Sequence, residues 1–231
     1  MPRDVGVILV AAGQGARLGQ GPLKPLREIG GVPMVLRALR PFTSHAEVGH
    51  VVLVLPAGVA QTPPAWLAEL RGGSLTLVAG GEARSDSVAA GLGALPAECR
   101  TVLVHDAARP FVERVTIDAV IARAREGVGA VAAVPLGDTL KEADATAGGR
   151  IRRTISRDGL WRAQTPQGFP RAMLERAYAT AGADRAGATD DAMLVERLGE
   201  TVCVVPDSNR NLKITTADDL LLAERLVSRS G

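Results

Sequence analysis

Gly13, Gly15 and Gly19 punctuate a short loop that also carries Arg17, and Lys24 follows a few residues later. Glycines let a backbone approach a ligand closely, so successive N–H groups can converge on one anion. Arg17 and Lys24 add full charges to those partial ones, a combination suited to a polyphosphate. The loop fits neither of two familiar phosphate-binding patterns. In G-x-G-x-x-G the third glycine would come one residue earlier, and G-x-x-x-x-G-K-[ST] is absent. Three further features have the same flavour: Gly80-Gly81-Glu82, His105-Asp106, and Lys213 just after Asn209 and Asn211. Arginine is the default cation of this chain. Lys24, Lys141 and Lys213 are the only lysines among 27 basic residues, which points to places where a compact ammonium is needed.

The elements around these residues predict where they meet. Val7-Ile8-Leu9-Val10, Val51 to Leu55, Leu75 to Val78, Thr101 to Val104 and Ala130 to Val134 are continuous apolar runs, the mark of strands buried on both faces. Helical stretches separate them: Pro33 to Phe42, Thr62 through Leu70, Ser85 to Leu95 behind Ser-Asp-Ser as N-cap candidates, and Val115 to Glu126. Such alternation predicts an α/β fold, Rossmann-like, with a mostly parallel sheet and helices on both faces. Ligands of such sheets bind outside the carboxyl ends of the strands. The glycine loop, Gly80-Gly81 and Asp106 all fall there.

The rhythm breaks after Pro135. Asp138 to Glu142 and Arg150 to Ile155 are extended but poor in apolar residues, joined by a turn with a Gly-Gly pair. They are read as a protruding β-arm over 136–157. A lone hairpin is marginal in water, so the arm is expected to pack on a second subunit. After the stretch Asp158 to Phe169, Pro170 to Ala181 reads as a helix, Thr189-Asp190-Asp191 as the capped start of another through Leu198, Thr201 to Val205 as a last core strand, and Thr216 to Val227 as a final helix with a capping-box start.

Length and composition set outer bounds. The 231 residues suit a single domain, 1–231 with the arm as its appendage, and 46% hydrophobic content suffices for a sizeable core. A net charge of +2 without a basic stripe excludes a nucleic-acid binder held by bulk electrostatics. No apolar run approaches the roughly 20 residues of a membrane span, and no leader is seen before the first strand, so a cytoplasmic protein without a membrane partner is expected. Cys99 and Cys203 are too few for a zinc or disulfide framework and are read as buried free thiols.

Several stretches, taken together and in order, are more specific: Ala11-Ala12-Gly13-x-Gly15-x-Arg17 with Lys24, His105-Asp106-Ala107-Ala108-Arg109-Pro110, Asp138-Thr139, Thr165-Pro166-Gln167, Thr189-Asp190 and Asn211-x-Lys213-Ile214-Thr215. Over nearly its whole length the chain resembles the 2-C-methyl-D-erythritol 4-phosphate cytidylyltransferases of the nucleotidyltransferase superfamily. The resemblance implies an enzyme that joins CTP to the phosphate of methylerythritol phosphate, releases pyrophosphate, uses Mg2+ or another divalent cation, and works as a homodimer whose arms complete each other's sites. It implies Arg17 and Lys24 on the triphosphate, and Ala11, Ala12, Gly13, Gly81, Glu82 and Ser87 around the cytidine, with Gly15 in the phosphate loop. Asp106 would face the ribose or acceptor, and it is the candidate metal ligand. Thr139 and Arg157 from the partner's arm, with Lys213, would position the acceptor, and Thr165 and Thr189 would contact its hydroxyls.

Some residues carry two readings. Arg109 is either an acceptor-phosphate ligand or a tie for its own loop. His105 is read as a packed, hydrogen-bonded histidine rather than a catalyst, Asp190 as a helix-start charge, Arg152 and Arg153 as arm-surface charges, and Trp161 as packing beside the arm. Two departures from the family pattern stand out: Leu23-Lys24-Pro25, where Pro-Lys-Gln is common, and Glu82, where Asp is common. Alternatives remain at this stage. The first is a cytidylyltransferase for another polyol phosphate, such as ribitol 5-phosphate. A nicotinamide-dependent oxidoreductase is disfavoured by the late third glycine. A non-catalytic nucleotide sensor is disfavoured by the joint presence of Arg17, Lys24 and Lys213.

Overall fold

The computed structural model describes residues 3–13, 21–70 and 72–228. Along the chain the strands are β1 (Val5–Val10), β2 (Glu28–Ile29), β3 (Val32–Pro33), β4 (Val48–Leu55), β5 (Leu75–Ala79), β6 (Thr101–Asp106), β7 (Gly129–Pro135), β8 (Leu140–Asp144), β9 (Arg150–Ile155), β10 (Trp161–Pro170) and β11 (Val202–Pro206). The helices are α1 (Met34–Thr43), α2 (Ala57–Gln61), α3 (Ala65–Ala68), α4 (Arg84–Ala94), α5 (Arg114–Arg125), α6 (Arg171–Ala181), α7 (Asp191–Glu196) and α8 (Ala217–Ser228). Seven strands form one sheet in the order β11-β7-β10-β6-β1-β4-β5.

The apolar runs become buried strands because each feeds both faces. Val7 and Leu9 point into one core with Leu39 and Phe42 of α1 and Ile117 and Ile121 of α5. Ile8 points into the other, with Val88 and Leu92 of α4 and Leu174 of α6. A small third cluster joins Ile29, Met34, Ile214 and Ala223 beneath α8. β1 lies parallel to β4 and β6, so Val10 stands beside Val54 and Asp106 at a common carboxyl edge.

The one antiparallel member of the main sheet among the described residues is β10, inserted between β6 and β7. Its register slips between Ala163 and Gln167. The slip frees Gln164, Thr165 and Pro166 from regular pairing and re-aims their side chains, as bulges do.

Several expectations are corrected. The segment Thr62 to Leu70 is not one helix but follows α2 and contains only the short α3. No serine caps α4: its first turn is closed by the Asp86 carboxylate, which accepts the Ala83 N–H at 3.2 Å. Asp190, not Thr189, caps α7, accepting the Met193 N–H at 2.9 Å. β11 is an edge strand, not a core strand, so Val204 is 43% exposed and Cys203 only half-buried. The capping box of α8 is reciprocal as read, Thr216 N–H to Asp219 at 2.8 Å and Asp219 N–H to the Thr216 hydroxyl at 3.2 Å.

The arm is the two-stranded pair β8–β9, with Lys141 opposite Thr154 and Glu142 opposite Arg153. Arg153 pairs with Glu142 at 2.6 Å and Arg152 with Asp144 at 2.5 Å, both within the arm itself. Its apolar residues are uncovered: Leu140 and Ile151 are exposed, and Trp161 at the arm's base is 40% exposed rather than packed away.

Candidate active site

A cavity of about 320 Å³ opens where β1 and β6 end. One wall is Ala11, Ala12 and Gly13, which leave β1 with the Ala11 N–H bonded to the Val54 carbonyl at 2.7 Å. The opposite wall is Gly81, Glu82 and Ser87, at the junction from β5 into α4. Gly80 lets the two walls approach, and Gly81 lets its own wall turn tightly into α4. A Cβ on Gly80 would lie 2.4 Å from the Ala12 Cβ, and one on Gly81 would lie 2.4 Å from the Asp86 Cβ.

Charged groups occupy the floor and mouth. Lys24, Arg84, Asp106 and Lys213 all line the cavity. Lys213 Nζ stands 2.7 Å from Asp106 Oδ2, and Arg84 Nε stands 3.1 Å from Asp106 Oδ1. Burial alone would push the Asp106 carboxyl up, but the Arg84 and Lys213 cations outweigh it and hold it well below the usual carboxylate range. Asp106 is therefore a fixed anion at any ordinary pH.

Beneath the floor a neutral network fixes that anion. The Asp106 N–H donates to the Thr165 hydroxyl at 3.0 Å, and this hydroxyl lies 3.0 Å from His105 Nδ1. His105 Nε2 donates to the Arg109 carbonyl at 3.0 Å, which sets the tautomer: Nδ1 accepts from Thr165. Burial pushes the His105 imidazole down to about 4, so it stays neutral. It packs on the Phe42 ring at 5.0 Å, in keeping with a structural histidine.

The Lys213 loop is braced in the same way. Asn211 donates to the Thr165 carbonyl at 2.8 Å and to Asp207 at 2.6 Å, and its own carbonyl accepts from Arg109 at 2.7 Å. The Ile214 N–H reaches the Ala108 carbonyl at 2.8 Å, and the buried Ile214 side chain joins Ile29 and Met34. Lys213 is thus anchored on both sides.

The residues singled out from sequence fall into three groups. Ala11, Ala12, Gly13, Lys24, Gly81, Glu82, Ser87, Asp106 and Lys213 are brought together around the cavity. Arg17 and Gly15 lie outside the described residues. Arg109, Thr165, Thr189, Thr139 and Arg157 do not line the cavity. Arg109 ties its loop to the Asn211 carbonyl and lies buried beneath the floor. Thr165 is buried with its hydroxyl committed to Asp106 and His105. Thr189 is exposed ahead of α7, while Thr139 and Arg157 are exposed at the arm's base, where the Arg157 guanidinium donates to the Gly137 carbonyl. Lys141 on the arm donates to Thr154 at 2.7 Å.

Sequence reasoning missed Arg84. It is the first residue of α4, where a basic side chain looks like ordinary surface charge, yet it bridges Asp106 and Asp191. The only available signal was its place three residues after Gly81 in a strand-to-helix junction.

The described lining offers two carboxylates for a metal, Asp106 and Glu82. Each Asp106 oxygen already faces a cation, leaving one further lone pair apiece. That fits a hard cation that enters on nucleotide phosphates and takes a single protein carboxylate, not one held in an all-protein cage. Among the described residues, His45, Glu47 and Asp118 also lie close enough to share an ion. His45 and Glu47 precede β4 and Asp118 reaches them from α5, at the amino end of the sheet, about 20 Å from the cavity for six residues of strand. Their atoms are mutually engaged: His45 Nε2 meets Asp118 at 2.7 Å, His45 Nδ1 accepts the Glu47 N–H at 3.2 Å, and Glu47 pairs with Arg125. This group is a structural clasp.

Comparison with known proteins places this geometry in a family. Residues 5–229 match the family of 2-C-methyl-D-erythritol 4-phosphate cytidylyltransferases. The chain is 45% identical over 221 residues to the protein of that name from Salinibacter ruber, covering 95% of this chain and 91% of that one. It is 44% identical over 236 residues to that from Streptomyces coelicolor, covering 99% and 86%. Among solved structures, the enzyme from Thermus thermophilus superposes with a TM-score of 0.79 at 33% identity, covering 96% of this chain and 98% of that one. 4-Diphosphocytidyl-2C-methyl-D-erythritol synthase from Anaerococcus prevotii gives 0.83 at 28% identity, covering 97% and 96%.

Proposed function

The chain belongs to the 2-C-methyl-D-erythritol 4-phosphate cytidylyltransferase family, and on that premise we propose that the cavity at the ends of β1 and β6 is where it works. It is an enzyme: it transfers the cytidylyl group of CTP to 2-C-methyl-D-erythritol 4-phosphate, giving the diphosphocytidyl product and pyrophosphate in isoprenoid biosynthesis. The observation that carries the assignment of the site is the meeting of Lys24, Lys213 and Asp106 in one cavity walled by alanines and glycines.

The chemistry suits these residues. An acceptor phosphate oxygen attacks the α-phosphorus of CTP, a new P–O bond forms, and the bond to the β-phosphate oxygen breaks, its electron pair leaving with pyrophosphate. The acceptor phosphate loses its second proton with a pKa near ~6, so no strong base is needed. What is needed is alignment of two anions and neutralisation of the charge that builds on the leaving group. Neutral, deeply buried His105 is consistent with that economy.

In this reading the cytidine lies between Ala11-Ala12-Gly13 and Gly81-Glu82, with Ser87 at its edge. Lys24 and Arg17, with Gly15, hold the triphosphate. Lys213 neutralises the acceptor phosphate. Asp106 faces the ribose and would be the protein carboxylate for a divalent cation, which would supply further charge neutralisation when bound. Thr165 and Arg109 act from beneath, holding Asp106 and the Lys213 loop. Thr189 approaches the acceptor hydroxyls from the α7 loop.

The homodimer belongs to the same proposal. The domain is 1–231, with 136–157 as the dimerisation arm. Leu140, Ile151 and Trp161 present uncovered apolar surface on or beside that arm. Thr139 and Arg157 of the partner's arm would then complete the acceptor side. No helix among the described residues is long and apolar enough to cross a membrane, and we place the enzyme in the cytoplasm.

The test offers CTP with a panel of polyol phosphates and follows pyrophosphate release. Turnover with methylerythritol phosphate and little with ribitol 5-phosphate is expected. The reverse preference would move the chain to another acceptor.

A further inference from the structure

Behind the cavity, a chain of alternating charge runs into the protein interior. Lys213 pairs with Asp106 at 2.7 Å, Asp106 with Arg84 Nε at 3.1 Å, and Arg84 Nη1 with Asp191 Oδ2 at 2.9 Å. It ends on the Tyr178 hydroxyl, which donates to Asp191 Oδ1 at 2.6 Å. Asp191 is wholly buried, and Arg84 is its only cation within ion-pair distance among the described residues. A buried carboxylate facing a single cation is costly to desolvate, and losing either partner strands the other's charge.

Asp191 cannot drift. Its N–H and that of Ala192 donate to the Gln167 side-chain carbonyl at 3.2 and 3.0 Å, and the Gln167 amide donates to Asp190 at 2.8 Å. α7 is thereby clamped to β10, and Tyr178 fixes the carboxylate from α6. Arg84 is the movable member. It reaches each carboxylate through a different nitrogen, and its Nη2 is buried without a hydrogen-bond partner. It has no bidentate pairing that would hold it on Asp106 alone. Its angle to Asp106 therefore depends on the second anchor.

We infer that Asp191, held by Tyr178, is a positioning residue that holds Arg84 in one-point contact with Asp106 and so leaves Asp106 Oδ2 for Lys213. This rests on Asp106 and Lys213 serving the reaction as proposed above. Without the Asp191 charge, Arg84 is free to swing into a two-point grip on Asp106, which would occupy both carboxylate oxygens and displace Lys213.

The test is a double-mutant cycle between Asp191→Asn and Arg84→Met in the full-length protein, with wild-type turnover of CTP and methylerythritol phosphate as the reference that secures the activity itself. Asp191→Asn is expected to lower kcat about tenfold while changing KM for CTP less than about threefold, and to have less than about a twofold further effect in the Arg84→Met background. Hydrogen exchange at the Arg84 Nε–H, followed by NMR, should speed up about tenfold in Asp191→Asn while that of Arg109 stays unchanged, a contrast general loosening would not give. If Asp191→Asn does not fold, Tyr178→Phe replaces it, with about a threefold loss of kcat that vanishes in the Arg84→Met background. Wild-type kcat in the substituted protein, or an equal loss with and without Arg84, would overturn the inference.

Discussion

Replacing Lys213 by methionine keeps the length of the side chain and removes its charge. The Lys213 side chain is 42% exposed, so its surroundings lie between water and a protein surface. Two unit charges about 4 Å apart interact by ~1 kcal/mol in water and ~4 kcal/mol at an effective dielectric of about 20. An intermediate value of about 2–3 kcal/mol of lost charge neutralisation corresponds to a fall of roughly 30- to 150-fold in kcat/KM. Stability should respond differently. A partly exposed ion pair contributes ~0–1 kcal/mol, and Asp106 keeps Arg84, so the melting temperature should fall by no more than about 2–4 °C. The assay is pyrophosphate release at varied CTP and varied methylerythritol phosphate, alongside thermal unfolding of the same preparations. A folded Lys213→Met enzyme within threefold of wild type would refute the assignment of Lys213 to the reacting phosphates. A large activity loss accompanied by a fall of ~10 °C or more would instead make Lys213 a structural residue.

Other predictions address the remaining parts. Lys24→Ala and Arg17→Ala should each lower kcat by about 10³, the scale of losing a transition-state cation, and a loss under tenfold in both would remove them from the chemistry. Arg157→Ala should raise KM for the acceptor far more than for CTP, and mixing an Arg157 variant with a Lys213 variant should restore some activity. No recovery after demonstrated subunit exchange would mean that each site is built from one chain. His105 is a base whose folded pKa, about 4, lies below its ordinary 6.5. The unfolded state then binds the extra proton between those values, so stability is unaffected above 6.5 and falls as pH drops toward 4, by up to about 3 kcal/mol. Denaturant unfolding across that range should show the decline, and His105→Gln should flatten it.

The fold was legible wherever burial was apolar. β1, β4, β5, β6 and β7 announce themselves as aliphatic runs, and their alternation with helices dictates a parallel sheet and a site at its carboxyl edge. β10 was not legible as a strand, although it lies in the middle of the sheet. Its buried positions include Gln164, Thr165 and Gln167, and prolines at 166 and 170 interrupt any alternation. Its burial is paid for by hydrogen bonds to Asp106, His105 and the α7 backbone, which no hydropathy pattern records.

The site divides along the same line. Glycine spacing and isolated lysines pointed to the cavity because close approach and compact charge leave marks on sequence. Arg84 and Asp191 stood at helix starts, where charges are common, and only the packing of α4, α6 and α7 shows that they face one another. Arg109 was readable from its motif as a tie for its own loop, whereas the hydrogen bonds of the Thr165 hydroxyl to Asp106 and His105 left no mark on the sequence.

The central claim is that this cavity joins the acceptor's own phosphate to the α-phosphorus of CTP. The direct measurement is 31P NMR of the reaction with the acceptor phosphate labelled in 18O. The account predicts a pyrophosphate resonance, a pair of mutually coupled diphosphate resonances, and 18O in the bridge between the two phosphorus atoms of the product. Release of inorganic phosphate, or a bridging oxygen that comes from CTP, would contradict it.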